Sequence, residues 1–326
     1  MDRFVPRDDD ANVMASEARP SMEFLVPLND AGVPRDDDAN VMASEARPSK
    51  GPRMSLNTVV QVSGLAKHFG GVRALDGVDF DVPAGQCVAL IGPNGAGKST
   101  CFACLAGQQV PTAGEVLWQG QSLSGKPPAE RQRLGVARTF QVAQTFEALT
   151  VLQNIQLSLR GVAPLAWWDR LDSRQPERAL RLAAQAGLQD QAYATVADLP
   201  YGAKKRLELA MALAGLPDAL PGAVVQQGVQ TAQTLLLLDE PAAGLALAER
   251  ADMMALVRQV ASQGVTVLYT EHNMDAVFGV ADRVLVLMQG RLVADGLPDV
   301  VAQDPQVRER YLGLDFDMKG LRDARR

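Results

Sequence analysis

Residues 92–100 read GPNGAGKST and follow the apolar run CVALI at 87–91 without a gap. The stretch fits G-x-x-x-x-G-K-[ST], a spacing that has a mechanism when a strand precedes it and a helix follows it. Gly92, Gly95 and Gly97 allow a tight turn around Asn94 whose backbone N–H groups face phosphate oxygens. The helix that follows adds its positive N-terminal end. In such a loop Lys98 reaches the β- and γ-phosphates, Ser99 offers a hydroxyl to Mg²⁺, and Thr100 supports the α-phosphate. A glycine-rich turn that binds nothing is the plainer alternative, but the Lys-Ser pair in a strand, turn, helix setting weighs against it.

Working outward, TVVQV at 58–62 has the character of a strand, as does the stretch at 115–118. The runs LLLLD at 235–239 and TVLYT at 266–270 are short and continuously apolar, as expected of parallel strands buried on both faces. A helix pattern over 247–262 separates them, and Gln289-Gly290 marks a hairpin. Between these strands lies a mostly helical stretch, about 149–197, in which ALRLAAQA at 179–186 is representative. The resulting picture is an α/β core interrupted by a helical insertion.

LLLLDEP at 235–241 sets two carboxylates at the carboxyl end of a buried strand. Beside a phosphate loop, Asp239 suits a water-mediated hold on Mg²⁺ and Glu240 suits the general base that polarises the attacking water. Taken alone, such a pair is an ordinary solvated strand end.

Composition limits the alternatives. With 326 residues, 47% hydrophobic and 21% charged, the chain can bury a sizeable core. A net charge of −6 argues against a nucleic-acid partner, which needs a basic face. No run reaches the roughly 18 apolar residues of a spanning helix, so peripheral membrane association is expected. Cys87, Cys101 and Cys104 form no even disulfide framework, and Cys101-x-x-Cys104 reads as packing on the helix after the phosphate loop. Residues 1–53 carry VPRDDDANVMASEARPS twice, at 5–21 and 33–49; acidic triplets and prolines without an apolar period predict a disordered extension. Met54 opens the patterned region and is an alternative start.

From Met54 to about Gly313 the chain resembles the ABC (ATP-binding cassette) ATPase family. The resemblance implies a P-loop NTPase core with an antiparallel β subdomain and an inserted helical subdomain at about 142–200, the whole domain spanning 54–315, with a tail at 316–326. Its landmarks occur in the family's order. Phe69, in HFGG, matches the aromatic that stacks on adenine; Gln141, in RTFQ at 138–141, matches the glutamine that approaches Mg²⁺ and the attacking water and links to the membrane subunit. His272, in TEHNMD, matches the switch histidine at the γ-phosphate. Each of the three would mean little by itself.

LPYGAKKR at 199–206 stands where the family has Leu-Ser-Gly-Gly-Gln. Leu199 and Gly202 are kept, while Pro200, Tyr201 and Ala203 replace the serine, the first glycine and the glutamine. In the family's head-to-tail dimer this signature acts on the ATP of the partner. Two further departures stand out: Gly244-Leu245 is followed by Ala246 instead of Asp or Asn, and the link at 216–233 is longer than usual. Its Pro, Gly and Gln content predicts a surface excursion.

GVARTFQ at 135–141, AAGL at 242–245, EHNMDAVF at 271–278 and RYLG at 310–313 are similar to the longer ATPase subunit of branched-chain amino acid importers. That branch implies ATP and Mg²⁺, a second ABC ATPase, two integral membrane permease subunits whose cytoplasmic helix enters a groove of the helical stretch, and a periplasmic substrate-binding protein. It implies a peripheral location on the cytoplasmic face of the bacterial inner membrane. A lipopolysaccharide-export ATPase, a non-transport ABC regulatory ATPase and a catalytically silent binding module are the other readings.

Overall fold

The computed structural model describes residues 57–139, 145–159, 175–217, 233–313 and 316. The duplicated extension at 1–53, Gln141, nearly all of the long link at 216–233 and the tail after 316 therefore lie outside the described residues.

Two long strands, β1 (Thr58–Phe69) and β2 (Val72–Pro83), pair antiparallel across the turn at Gly70 and Gly71. With β4 (Ala113–Trp118) and β5 (Gln121–Ser122) they form a four-stranded antiparallel sheet in the order β2-β1-β4-β5. The second sheet has the order β10-β9-β3-β8-β7-β6. Its strands β3 (Cys87–Ile91), β6 (Val136–Arg138), β7 (Leu235–Asp239), β8 (Thr266–Thr270) and β9 (Arg283–Met288) run parallel, and β10 (Arg291–Gly296) closes one edge antiparallel. Every residue of β3, β7 and β8 is buried, which is why these strands read as unbroken apolar runs instead of alternating ones.

Three apolar clusters hold these layers. The first lies between the sheets and around α1 (Lys98–Leu105), with Leu65, Phe80, Leu90, Phe102 and Trp118. On the other face of the parallel sheet, α6 (Leu247–Ser262) and α7 (Met274–Val280) bury Met253, Val257 and Phe278 against Leu238 and Tyr269. The third belongs to the helical insertion, where α3 (Val151–Ser158), α4 (Pro176–Gln185) and α5 (Tyr201–Ala214) pack Ile155, Leu182 and Leu207 together. This cluster continues along α5 to Ala214, beyond the limit near residue 200 expected from the sequence.

Local chemistry fixes the helix starts. Thr150 and Gln153 form a reciprocal capping box at α3, and Pro176 opens α4 at a position where its missing N–H costs nothing. A short helix, α2 (Pro128–Leu134), and the three-residue β6 were not read from the sequence; both are too brief to show a period. The strand expected at 58–62 runs on to Phe69, and the hairpin at Gln289-Gly290 joins β9 to β10. Among the described residues no helix is long and apolar enough to cross a membrane.

Candidate active site

The parallel strands end together, and the loops after β3, β7 and β8 carry the reactive side chains. Gly97 caps α1 in the left-handed region at φ 107°, and a Cβ there would stand 2.4 Å from the Ala74 carbonyl oxygen. At Gly92 a Cβ would stand 2.0 Å from the Leu287 oxygen. These two glycines are required by the packing of the loop against its own fold. Gly95 differs: a Cβ on it would meet nothing within 4 Å, so its φ of 78° and an open approach to the backbone are what glycine supplies there. Asn94 and Ser99 are exposed beside it, and Thr100 is half-buried.

Lys98 is buried and folds back over the loop, donating to the carbonyls of Gly92 at 2.6 Å and Pro93 at 3.1 Å. Burial pushes its ammonium below the ordinary lysine range, while the carboxylates of Glu240 and Asp239 pull it back up. A desolvated cation in a glycine loop with exposed backbone is a site for an anion of high charge density.

Asp239 ends β7 almost fully buried, and both its oxygens are engaged: Oδ1 accepts from the Thr270 hydroxyl at 2.8 Å and Oδ2 from Arg138 at 2.8 Å. Glu240 follows at φ 49°, a left-handed conformation unusual for a side chain of this size. Its N–H is held by the Thr270 hydroxyl at 3.0 Å, so β8 fixes the turn that aims Glu240 outward. Nε2 of His272 lies 2.7 Å from Oε1 of Glu240.

Glu271 lies beneath this pair, 4% exposed, accepting from the backbone N–H of Ala242 at 2.8 Å and of His272 at 3.2 Å. Burial raises its carboxyl above the ordinary range, and the N–H donors of Ala242, His272 and Asn273 oppose the shift. The loop bearing Glu240 and the loop bearing His272 are thereby tied through one side chain. Burial pushes the Tyr311 hydroxyl above its ordinary range, while the nearby Gly92 backbone at the start of the phosphate loop opposes the shift.

Among the described residues no cluster of three or more His, Cys, Asp or Glu could hold a metal. The Ser99 hydroxyl and the Asp239 carboxylate are hard oxygen donors. Such a sparse set fits Mg²⁺ completed by water and substrate phosphates, and it does not fit a dedicated metal cage.

Phe69 stands at the end of β1 with 46% of its surface exposed and the Lys67 ammonium 5.0 Å from its ring centroid. The stretch at 199–203 packs against 243–249 of the same chain. Pro200 is the N-cap of α5 and offers no side-chain acceptor, the half-exposed Tyr201 donates its hydroxyl to the Ala243 carbonyl at 3.4 Å, and Leu199 is buried. The helix therefore begins at Tyr201. A Cβ on Gly202 would stand 2.7 Å from Glu249 Oε1, and the other oxygen of Glu249 accepts from the Ala246 N–H at 3.2 Å. Gln141 lies outside the described residues.

Residues 75–220 match the family described as ABC transporter. Over 265 residues the chain is 35% identical to the high-affinity branched-chain amino acid transport ATP-binding protein BraF of Pseudomonas aeruginosa, covering 78% of this chain and 98% of that protein. It is 34% identical to the protein of the same description, LivG, of Escherichia coli, with the same coverage. The chain belongs to the ABC transporter ATP-binding family. A crystal structure of an ATP-binding cassette in its ADP conformation superimposes with a TM-score of 0.67 at 29% identity, covering 78% of this chain and 99% of that one. A nucleotide-free cassette gives the same score at 28% identity and the same coverage. As an ABC ATPase the chain binds and hydrolyses ATP.

Three site residues of this ABC ATPase escaped the sequence reading: Arg138, Thr270 and Glu271. All three lie inside or directly beside motifs that were read, in RTFQ and TEHNMD. Their roles depend on contacts between residues 29 to 101 positions apart, which no local spacing reveals.

Proposed function

We propose that this chain is the ATP-hydrolysing subunit of a bacterial importer for branched-chain or other hydrophobic amino acids, working on the cytoplasmic face of the inner membrane. The observation that carries the reading is the Glu240–His272 pair above a buried Lys98 loop, in a chain that aligns with nearly the full length of relatives named for branched-chain amino acid transport.

In this reading the backbone of 92–100 and Lys98 hold the phosphates, with Gly92, Asn94, Gly95, Gly97 and Thr100 shaping the cradle. Phe69 stacks on the base. Ser99, Asp239 and Gln141 would hold Mg²⁺, which would supply neutralisation of the phosphate charge. Glu240 accepts a proton from the attacking water, and His272 keeps that carboxylate aimed while contacting the γ-phosphate side. Leu199, Pro200, Tyr201 and Gly202 face the nucleotide of a second ABC ATPase.

The partners are that second ATPase, two permease subunits and a periplasmic binding protein. A cleft of about 650 Å³, walled by Ala129, Gln132 and Arg133 near α2, Leu157 of α3, and Glu208 and Met211 of α5, is where a permease helix docks. Only its α3 wall falls in the helical stretch singled out from the sequence.

The test is genetic. Deleting the gene should abolish high-affinity uptake of labelled leucine, and wild type but not Glu240→Gln should restore it. Uptake that survives the deletion, or that returns with Glu240→Gln, contradicts the reading.

A further inference from the structure

Arg138, the last residue of β6, belongs to two places at once. Its guanidinium donates to Oδ2 of Asp239 at 2.8 Å, and the two side chains are 12% and 3% exposed. The same side chain forms part of the wall of the 650 Å³ cleft, together with Gln108 and Glu208, and bonds to the Gln108 side chain. It lies 5.9 Å from the Phe102 ring centroid.

Two features make this contact an exchangeable one. Desolvation nearly offsets the attraction in a buried ion pair, so its net worth is small. Among the described residues Arg138 Nε is also buried without a hydrogen-bond partner, so one donor of the guanidinium finds no acceptor there. Arginine keeps its charge at any physiological pH. A second cation arriving at Asp239, directly or through water, meets a fixed positive charge on Oδ2 and the Thr270 hydroxyl on Oδ1.

We propose that Arg138 is an internal counter-cation for Asp239 which competes with the Mg²⁺ of the nucleotide for that carboxylate, and that its placement also shapes the cleft wall. Cleft occupancy and metal occupancy then influence each other through one side chain, and the coupling is reciprocal. The inference rests on the assignment of Asp239 to the metal made above.

The experiment measures the affinity of the purified full chain for a fluorescent ATP analogue, in EDTA and in excess Mg²⁺, for wild type, Arg138→Gln and Gln108→Ala. The gain from Mg²⁺, read as the ratio of the two affinities of each protein, should rise by about fivefold in Arg138→Gln, at the low end of coupling between linked sites. Gln108→Ala, at an exposed position, loosens Arg138 without removing its charge and should raise the gain by about twofold, which keeps the test alive if Arg138→Gln does not fold. An unchanged or smaller gain in a folded variant overturns the proposal, since Arg138 would then be supporting Asp239 instead of competing for it. A wild type with no Mg²⁺-dependent gain at all removes the metal assignment itself, and both statements fall.

Discussion

Nε2 of His272 and Oε1 of Glu240 meet at 2.7 Å across two loops, and Glu271 ties those loops together through the backbone of Ala242 and His272. The side chains proposed as base and switch histidine are thus a preassembled pair. Groups acting as a unit are not additive when removed.

Glu240→Gln is expected to bind ATP like wild type and to lose turnover by at least about a hundredfold, the usual contribution of a general base. Adding His272→Ala to it should cost little more, although His272→Ala alone is damaging. Single-turnover hydrolysis and equilibrium nucleotide binding on the four proteins check this, and multiplicative losses would show that the two residues act separately.

Lys98→Ala should lose nucleotide affinity, in contrast to Glu240→Gln, because the buried ammonium is the loop's fixed charge and is proposed to hold the phosphates. Equal affinities in the two variants, measured by titration with a fluorescent analogue, would contradict the roles assigned to them.

Much of this site was legible beforehand. The phosphate loop, Asp239 and Glu240 could be found because each sits at a strand end whose apolar run is visible in one dimension. The parallel strands at 235–239 and 266–270 followed from their unbroken apolar runs, whereas the antiparallel sheet came only with the family resemblance. What could not be read was the set of contacts between strands: Thr270 holding both Asp239 and the turn of Glu240, Arg138 closing on Asp239, and Glu271 bridging two loops. The same holds for Gly92 and Gly97, whose necessity comes from Leu287 and Ala74 in other strands.

The raised carboxyl of Glu271 has a consequence for stability. Between 4.5, the reference value for the unfolded chain, and its higher folded value, the folded state keeps a proton that the unfolded state loses. Its contribution is therefore present below 4.5 and lost as pH rises through the folded pKa. Glu271→Gln, neutral throughout, lacks that loss, so its Tm should gain on wild type as pH rises through this window. A Tm difference independent of pH would contradict it.

Burial pushes the Cys87 thiol up to about 12 and raises Cys101 and Cys104 as well, and all three are free and buried. The folded protein should resist alkylation by iodoacetamide at about pH 8, with all three thiols labelled only in denaturant. Rapid native labelling of Cys101 or Cys104, detected by mass spectrometry, would mean that α1 opens.

Gly202 lies against the Glu249 carboxylate. Gly202→Asp sets two like charges together at the start of α5 and should silence hydrolysis at the partner's nucleotide. Pro200→Ser adds one hydroxyl donor and should raise it by less than about tenfold. Both are measured in a mixed dimer whose other site is disabled by Glu240→Gln in this chain. Normal turnover with Gly202→Asp would show that 199–203 is not the working signature.

The central claim is that this ATPase drives amino acid import, and the most direct measurement is ATP turnover of the complete complex in proteoliposomes. Its binding protein is supplied either empty or loaded with a branched-chain amino acid. The loaded protein should raise turnover well above the empty one, and Glu240→Gln should abolish the rise. Turnover indifferent to the loaded binding protein, or unaffected by Glu240→Gln, would contradict it.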